Sequence, residues 1–292
     1  MFNWLIDHKI PLGAAMTTMV NFVNEHATWF FDMVRFVLES LILGMIGGLL
    51  WVPPLLLIAL FAAFVWFLHR AWGLVILTVV SLTLIANMGF WQAMIETLAM
   101  VILTTLVCLA IGVPIGILMG HRRYLYGVMR PVLDLMQTIP TFVYLIPTLV
   151  LFGLGVVPGL ISTVIFTLPA PIRLTYLGII GVPTPLLEAG KSFGATKRQL
   201  LWKIELPAAL PSIMVGVTQS IMLSLSMVVI SALVGADGLG KPVVHALNTR
   251  NLAKGFESGL SIVLLAILLD RICKMPTGFK FRMGKKNKGE AE

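Results

Sequence analysis

The amino-acid sequence predicts an all-α, polytopic membrane protein with about seven transmembrane helices and an N-terminal amphipathic helix. Two observations lead to this fold class. Of the 292 residues, 58% are hydrophobic and 12% are charged, whereas roughly 25% of the residues in a soluble domain are charged. The mean hydropathy of +0.97 is that of an integral membrane protein. No cleaved signal peptide is expected, because Asp7 interrupts the first apolar run.

The N-terminal segment, residues 1–49, is expected to be extracytoplasmic and to contain the amphipathic helix. Its residues 30–50 are apolar but carry Asp32, Arg35 and Glu39, a pattern typical of a helix that lies in the membrane interface. A transmembrane domain over residues 50–275 and a basic cytoplasmic tail over residues 276–292 complete the predicted organisation.

Seven apolar stretches are candidates for crossing the hydrocarbon core, which is roughly 30 Å thick and takes about 20 residues of helix. They cover residues 51–68, 71–88, 94–119, 132–155, 160–180, 213–234 and 260–272. Trp72 and Trp91 bracket the second stretch, at a spacing that suits the two aromatic belts of a bilayer.

The basic residues predict the orientation of these spans. When the tail is placed in the cytoplasm and the N-terminus outside, all Lys and Arg residues are cytoplasmic except Lys9, Arg35, Lys241, Arg250 and Lys254. This is the distribution that the positive-inside rule requires. The net charge of +8 therefore indicates topology, and no nucleic-acid partner is expected.

Glycines at small-xxx-small spacing let neighbouring helices approach closely. One set comprises Gly112, Gly116 and Gly120, and another comprises Gly44 and Gly48. We interpret both as packing within one subunit rather than as a dimer seam.

Nucleotide-binding and zinc-protease motifs are not found in the sequence. A phosphate-binding loop needs GxxxxGK[ST]. The GKS at residues 190–192 has Pro185 in place of the first glycine, and the stretch 235–242 ends on Pro242 where a hydroxyl is needed. There is also no HExxH. We therefore expect a non-enzymatic chain that binds no metal and no cofactor.

The polar stretch 184–207 between the fifth and sixth spans begins with signals for a short helix. Thr184 followed by Pro185 is typical of an N-cap with proline in the first helical position. Gly194 is placed to end this helix in a left-handed cap.

A second helix is predicted to follow directly. Thr196 and Gln199 have the spacing of a capping box, and Pro207 is expected to end the helix. Long structured loops are usually functional. We therefore interpret this helix, glycine turn and helix as a docking surface for a cytoplasmic partner, rather than as a DNA-reading helix-turn-helix.

The same stretch resembles the EAA loop of bacterial ABC-importer permeases. Its residues 188–190, Gly194 and residues 204–207 match the pattern EAA, three residues, G, nine residues and I-x-L-P, with Gly190 in place of the usual alanine. The resemblance implies the fold of a type I ABC-importer permease, in which this loop docks into a groove of a separate ATPase subunit. The residues implied in this coupling are Glu188, Ala189, Gly190, Gly194, Ala195, Ile204, Leu206 and Pro207.

Two further stretches, residues 135–155 and 169–183, are similar to the glycine betaine, choline and proline-betaine branch of these permeases. Residues 232–240, ALVGADGLG, resemble the outward-side GAGGLG element of the family. The outward loop implied by this resemblance is formed by Gly235, Asp237, Gly238 and Gly240, with Asp237 in place of a glycine.

The fourth predicted span is a candidate wall or gate of a transport pathway. Pro140 and Pro147 remove two backbone donors and leave carbonyl groups free, which is tolerated at membrane depth where the backbone lines a cavity or is buried in protein. The other candidate residues on this stretch are Gln137, Thr138, Thr141, Phe142 and Tyr144. For each of them, ordinary packing in a kinked helix is the alternative.

Together, the motifs and the resemblance imply the permease subunit of an ATP-driven importer for a quaternary ammonium compound such as choline or glycine betaine, in a bacterial inner membrane. The implied partners are a second copy of the chain, an ATPase subunit that binds ATP and magnesium, and an extracytoplasmic binding protein that recognises the substrate. The alternatives are an ion-coupled secondary transporter for small amines and, more remotely, a channel. Span centres without charge weaken a proton relay but leave sodium coupling open.

Overall fold

Helices form almost all of the computed structural model, which describes residues 11–274. In chain order the α-helices of this part are α1 (Leu12–Trp51), α2 (Pro54–His69), α3 (Trp72–Asn87), α4 (Trp91–His121), α5 (Arg123–Thr138), α6 (Leu145–Phe152), α7 (Val156–Thr167), α8 (Pro169–Ile180), α9 (Thr184–Ser192), α10 (Lys197–Leu200), α11 (Leu206–Ser231), α12 (Gly240–Asn248) and α13 (Leu252–Cys273). Short 3₁₀ turns at Thr141–Tyr144 and Ala232–Val234 and a π turn at Leu201–Glu205 link some of them. The predicted all-α fold class is confirmed for these residues.

The helices that are long and apolar enough to cross a membrane agree with most of the predicted spans. They are Val20–Trp51, Trp91–His121, Val156–Ile180, Lys197–Val234 and Leu252–Cys273. The predicted spans 94–119, 160–180, 213–234 and 260–272 each lie inside one of them. The first two predicted spans correspond to α2 and α3, which have 16 residues each and are therefore only about 24 Å long.

The N-terminal helix is longer than the amphipathic segment predicted for residues 30–50. That segment is the second half of α1, a helix of 40 residues whose backbone leaves helical geometry at Ala27. Arg35 and Glu39 form an ion pair at 3.5 Å, which lowers the cost of carrying these two charges on a largely apolar helix. Ile42 is fully buried in the main hydrophobic core, so α1 packs as part of the bundle.

The fourth predicted span, residues 132–155, is a bent pair of helices that is together long and apolar enough to be one broken span. α5 ends at Thr138, and the stretch Thr141–Phe152 continues at an angle of 103° to it. The cause is Pro140, which has no N–H and disfavours helical geometry in the preceding residue; Ile139 accordingly has an extended ψ of 130°. The irregular backbone expected at Pro140 is confirmed.

The centre of the bundle is formed by α8, which packs against both α4 and α11. A β-carbon added at Gly116 would lie 2.6 Å from Thr175, and one at Gly120 would lie 2.6 Å from Ile179. The small residues of α4 are therefore needed for its close approach to α8, and the prediction of packing within one subunit is confirmed for them. It is wrong for Gly44 and Gly48, since within the described chain a β-carbon at either would have no neighbour within 4 Å.

Contacts between helix termini define one end of the bundle. His121 at the end of α4 contacts Glu205 in the π turn. His69 at the end of α2 lies 2.9 Å from the carbonyl oxygen of Ile272 near the end of α13. The start of α11, which follows the stretch 184–207 directly, and the end of α13 line one groove. The stretch 184–207 and the ends of α2, α4 and α13 therefore lie at the same end, as the predicted topology places them.

Candidate functional site

The first helix of the 184–207 stretch, α9, starts one residue earlier than predicted. Pro183 occupies the N-cap position with an extended ψ of 127°, and Thr184 is already helical and makes no side-chain cap. The prediction of Thr184 as the N-cap is therefore wrong, because the fixed φ of Pro183 already supplies the entry into the helix. Pro185 lies in the first turn, where its missing N–H has no helical partner to lose.

The predicted glycine cap at the end of α9 is confirmed. Gly194 has a φ of +75°, its N–H donates to the carbonyl of Lys191 at 2.9 Å, and the N–H of Ala195 donates to the carbonyl of Gly190 at 3.0 Å. This pair of hydrogen bonds is a Schellman motif. Because a β-carbon at Gly194 would have no neighbour within 4 Å, the need for glycine here comes from the backbone conformation alone.

The capping box of the second helix is also confirmed. The N–H of Thr196 donates to the Gln199 side-chain oxygen at 2.8 Å, and the N–H of Gln199 donates to the Thr196 hydroxyl oxygen at 3.3 Å. The turn is thus fixed by hydrogen bonds on both of its sides. It joins α9 and α10 as one compact element, which we call the coupling unit and define as residues 184–207.

Pro207 does not end the second helix, contrary to the prediction. The helical stretch runs on from Lys197 to Val234. The N–H of Leu206 donates to the carbonyl of Leu201 across the π turn, so a new α-helical register begins there. Pro207 falls in the first turn of that register, where a missing N–H costs little.

The two helices of the coupling unit pack through Gly190. A β-carbon at this position would lie 2.5 Å from Cδ1 of Ile204 and 2.9 Å from Cδ1 of Leu200. Gly190 therefore lets the helices approach more closely than the usual alanine would without movement of these two side-chain ends. Of the other coupling residues, Leu206 is half-buried, Ala195 is half-buried, and Glu188, Ala189 and Pro207 are exposed.

Two exposed aromatic residues on the coupling unit were missed by the sequence reasoning. The side chains of Phe193 and Trp202 are 93% and 63% exposed. Large exposed apolar groups rimmed by polar residues mark interaction sites. Both residues occupy positions that the EAA pattern leaves unspecified, so the pattern did not point to them. The signal that could have identified them is the presence of two large aromatic residues in a polar, basic stretch.

Glu205 was also missed, although it connects the coupling unit to the core. It is buried, with 7% exposure, and its Oε2 lies 2.7 Å from Nε2 of His121. The Nδ1 of His121 lies 2.9 Å from the carbonyl oxygen of Ile117 in α4, which holds the ring in place. A buried carboxylate needs such a partner, but no local pattern pairs positions this far apart in the sequence.

The predicted pathway residues cluster at the bend between α5 and α6. Tyr144 donates its hydroxyl to the carbonyl of Met136 at 2.7 Å, which ties the two sides of the bend together. Thr138 donates to the carbonyl of Leu135 at 3.1 Å, as in the alternative of a hydroxyl bonded to its own helix. Gln137, Pro140 and Phe142 are exposed, and Thr141 and Pro147 are half-buried.

A groove of about 410 Å³ runs between this bend and the start of α1. Its lining is mainly apolar and includes Ile139, Val143, Tyr144 and Pro147 from the bend. Behind the bend, the Thr148 and Ser162 hydroxyls lie 2.7 Å apart, and Ser162 donates to the carbonyl of Tyr144 at 3.2 Å. The bend is thus fixed by hydrogen bonds to α7.

The predicted outward loop lies at the end of the bundle opposite to the coupling unit. Gly238 has a φ of +121°, and the N–H of Leu239 donates to the Thr97 hydroxyl of α4 at 2.8 Å. A β-carbon at Gly240 would lie 2.5 Å from the carbonyl oxygen of Val228. These glycines are therefore required by conformation and by space, and Gly235 has a φ of +86°.

Asp237, which stands in place of a glycine, fits the loop because its φ is not positive. Its Oδ1 lies 2.6 Å from Nζ of Lys241. This hydrogen bond raises the pKa of Lys241 above the ordinary value for lysine. The ion pair links the start of α12 to the loop.

A family model described as "binding-protein-dependent transport system inner membrane component" matches residues 112–274. The chain is 41% identical to the glycine betaine transport system permease protein of Bacillus subtilis, over 97% of this chain and 98% of the relative. It is 42% identical to the glycine betaine/proline betaine transport system permease protein of Escherichia coli, over 91% of this chain and 75% of the relative.

Among solved structures, the chain is similar to an inward-facing conformation of the MetNI methionine ABC transporter. The TM-score is 0.55, the identity is 26%, and the match covers 61% of this chain and 91% of the other. The match supports the fold of an ABC-importer permease for the helices described above.

Proposed function

The chain belongs to the family of binding-protein-dependent transport system inner membrane components, and from this premise we propose that it imports a quaternary ammonium compound such as glycine betaine, a related betaine or choline. The names of relatives at 41 to 43% identity support this substrate class. Membership in this family favours ATP-driven import over an ion-coupled secondary transporter or a channel.

The coupling unit is the feature that carries the proposal. Its Schellman cap and capping box make it rigid, and its contact between Glu205 and His121 joins it to α4. A rigid element can pass a rigid-body movement to the helices behind it. We infer that the unit docks on a separate ATPase subunit, which binds ATP and magnesium, and that Phe193 and Trp202 are part of the docking surface.

The transport pathway is assigned to the bend between α5 and α6. Exposed polar groups at the bend, Gln137 and Thr138, and the broken backbone at Pro140 suit a surface that meets a passage. We infer that the outward loop 235–240, at the opposite end of the bundle, offers a surface to an extracytoplasmic binding protein.

A second copy of the chain is proposed to complete the passage. The face of α11 with Val215, Gln219 and Ser226 is exposed, although this helix belongs to a stretch long enough to span the membrane. Polar residues at membrane depth face protein or water rather than lipid. Two such faces brought together would enclose a passage between the copies.

The orientation proposed is a multi-pass arrangement in the inner membrane with the coupling unit and the C-terminus in the cytoplasm and the N-terminus outside. The basic residues at the ends of α2 and α4 support it, since they lie at the same end as the coupling unit.

Reconstitution tests the proposed function. The chain is placed in liposomes with its partner ATPase, and the binding protein is added on the substrate side. Uptake of radiolabelled glycine betaine is expected to require ATP on the side of the membrane where the ATPase is bound. It is expected to be absent when only an ion gradient is applied. Uptake driven by a sodium or proton gradient without the ATPase would contradict the proposal.

A further inference from the structure

A charged cluster lies where α5 crosses α8, outside the bend and the coupling unit. Nη2 of Arg173 on α8 lies 2.6 Å from Oδ1 of Asp134 on α5. Nε of Arg130, one turn before Asp134, lies 3.9 Å from the other carboxylate oxygen. Two guanidinium groups thus share one carboxylate, and the cluster keeps one net positive charge.

A tyrosine pair continues this cluster along both helices. The rings of Tyr126 and Tyr176 stack with centroids 4.0 Å apart and an angle of 7° between their planes. Tyr126, Arg130 and Asp134 are spaced by four residues on α5, and Arg173 and Tyr176 by three on α8, so that each set shares one face of its helix. The tyrosine pair therefore lies on the same helix faces as the charged groups.

The cluster is accessible within the described chain. The side chains of Arg130, Asp134 and Arg173 are 67%, 51% and 34% exposed. Exposed ion pairs contribute little to stability, so stability is a weak reason for them. Yet Arg173 belongs to the stretch Val156–Ile180, which is long and apolar enough to cross a membrane, and charges at such positions face protein or a water-filled cavity.

The surface also leads directly to the bend. Gln137 and Thr138 follow Asp134 at spacings of three and four on α5, so they extend the same face towards Pro140. The groups available to a solute that moves along this face are, in order, aromatic rings, two guanidinium groups with one carboxylate, and an amide with a hydroxyl.

A small zwitterion matches this set of groups. A carboxylate binds guanidinium groups through charge-assisted and often bidentate hydrogen bonds. A quaternary ammonium cannot donate strong hydrogen bonds and is held by a negative charge or by aromatic faces. A betaine carries both groups a few bonds apart, so it can replace the contact between Arg173 and Asp134 with one contact to each.

We propose that Asp134 and Arg173, with Arg130, form a transit site in the permease that takes the carboxylate and the ammonium of a zwitterionic betaine in exchange for their own ion pair. This inference rests on the proposed function, because it assumes that a betaine passes through the chain. In the absence of solute the two side chains pair with each other, as the structure shows.

The test uses the complete importer in proteoliposomes and measures glycine betaine uptake and ATP hydrolysis on the same vesicles. In the double variant Asp134→Asn with Arg173→Gln, amides can keep a hydrogen bond but the charges are lost. Maximal uptake per ATP hydrolysed is expected to fall at least tenfold, with the KM for external betaine unchanged because the binding protein sets it. Arg173→Lys, which keeps the charge without the planar fork, is expected to be intermediate.

The control is Glu39→Gln, which breaks the comparable Arg35–Glu39 pair on α1 and is expected to leave uptake per ATP unchanged. Unchanged uptake per ATP in the double variant would overturn the inference. A purely structural pair would instead lower the melting temperature of the complex and reduce uptake and ATP hydrolysis together, which would also overturn it. Absence of ATP-dependent uptake by the wild type would overturn the proposed function itself.

Discussion

The carboxylate of Glu205 and the imidazole of His121 meet at 2.7 Å, and through this contact the coupling unit is joined to the end of α4. Glu205 lies in the π turn Leu201–Glu205, so the contact is made at the point where the backbone of the second coupling helix changes register. A movement of the coupling unit therefore reaches α4 directly as well as α11, and α4 packs on α8.

This contact predicts energetic coupling between Glu205 and His121. Because Glu205 is buried, removing one partner leaves the other with an unsatisfied polar group. A double-mutant cycle of Glu205→Ala and His121→Ala is expected to show an interaction of about 1–3 kcal/mol in the free energy of unfolding. The measurement is thermal unfolding of the detergent-solubilised chain. Glu205→Gln, which can still accept a hydrogen bond, serves as the milder control, and additive effects of the two alanine variants would refute the coupling.

Gly194 predicts an effect that comes from the backbone alone. Its φ of +75° with open space around the β-carbon means that Gly194→Ala costs about 1–2 kcal/mol of conformational energy, and Gly194→Val costs more because β-branched residues adopt positive φ less readily. We expect Gly194→Val to lower uptake per ATP hydrolysed while the chain still inserts.

The matched control is Gly259→Val, at a helical glycine with open space and no positive φ. It is expected to leave the ratio of uptake to ATP hydrolysis unchanged. Normal uptake per ATP by a stably inserted Gly194→Val variant would remove the coupling role from this turn.

Substitution by alanine is predicted to have different outcomes at Gly116, in the seam between α4 and α8, and at Gly48, on α1. A β-carbon at Gly116 would lie 2.7 Å from the backbone carbonyl oxygen of Ile172, whereas one at Gly48 would have no neighbour within 4 Å in the described chain. Gly116→Ala must shift a backbone, which costs about 1–3 kcal/mol. Gly48→Ala is expected to be neutral or stabilising, by up to about 1 kcal/mol, because alanine is the better helix former. Equal melting temperatures of the two variants would contradict this account of the seam.

The structural features that could be predicted from the sequence are those that depend on residues a few positions apart. The capping box of Thr196 and Gln199 and the left-handed cap at Gly194 depend on hydrogen bonds between near neighbours, and both are found. Pro207 shows the limit of such signals, since a proline predicts a helix end unless the turn before it changes register. The π turn makes that change, and no pattern in the sequence announced it.

The contacts between distant residues could not be predicted, because they depend on how whole helices pack. The pairing of Glu205 with His121 requires the end of α4 to meet the coupling unit. The 103° bend at Pro140 could be located from the proline, but its size is set by contacts such as that of Tyr144 with Met136. For the same reason, the surface between α5 and α8 emerges only when Asp134 and Arg173 are seen side by side.

The exposed aromatic residues of the coupling unit give a prediction about docking. Because Phe193 and Trp202 are mostly exposed, their truncation removes little packing within the chain, and Phe193→Ala and Trp202→Ala are expected to change its melting temperature only slightly. Buried aromatic anchors dominate many interfaces, so each truncation is expected to weaken binding to the ATPase by about 2 kcal/mol or more, roughly 30-fold in Kd. Fluorescence titration of the detergent-solubilised chain with the labelled ATPase measures this change in Kd.

The control is Phe256→Ala, which truncates a similarly exposed residue of α13 far in sequence from the coupling unit. It should leave the Kd for the ATPase unchanged, because Phe256 lies outside the proposed docking surface. An unchanged Kd for both coupling-unit variants would place the docking surface elsewhere.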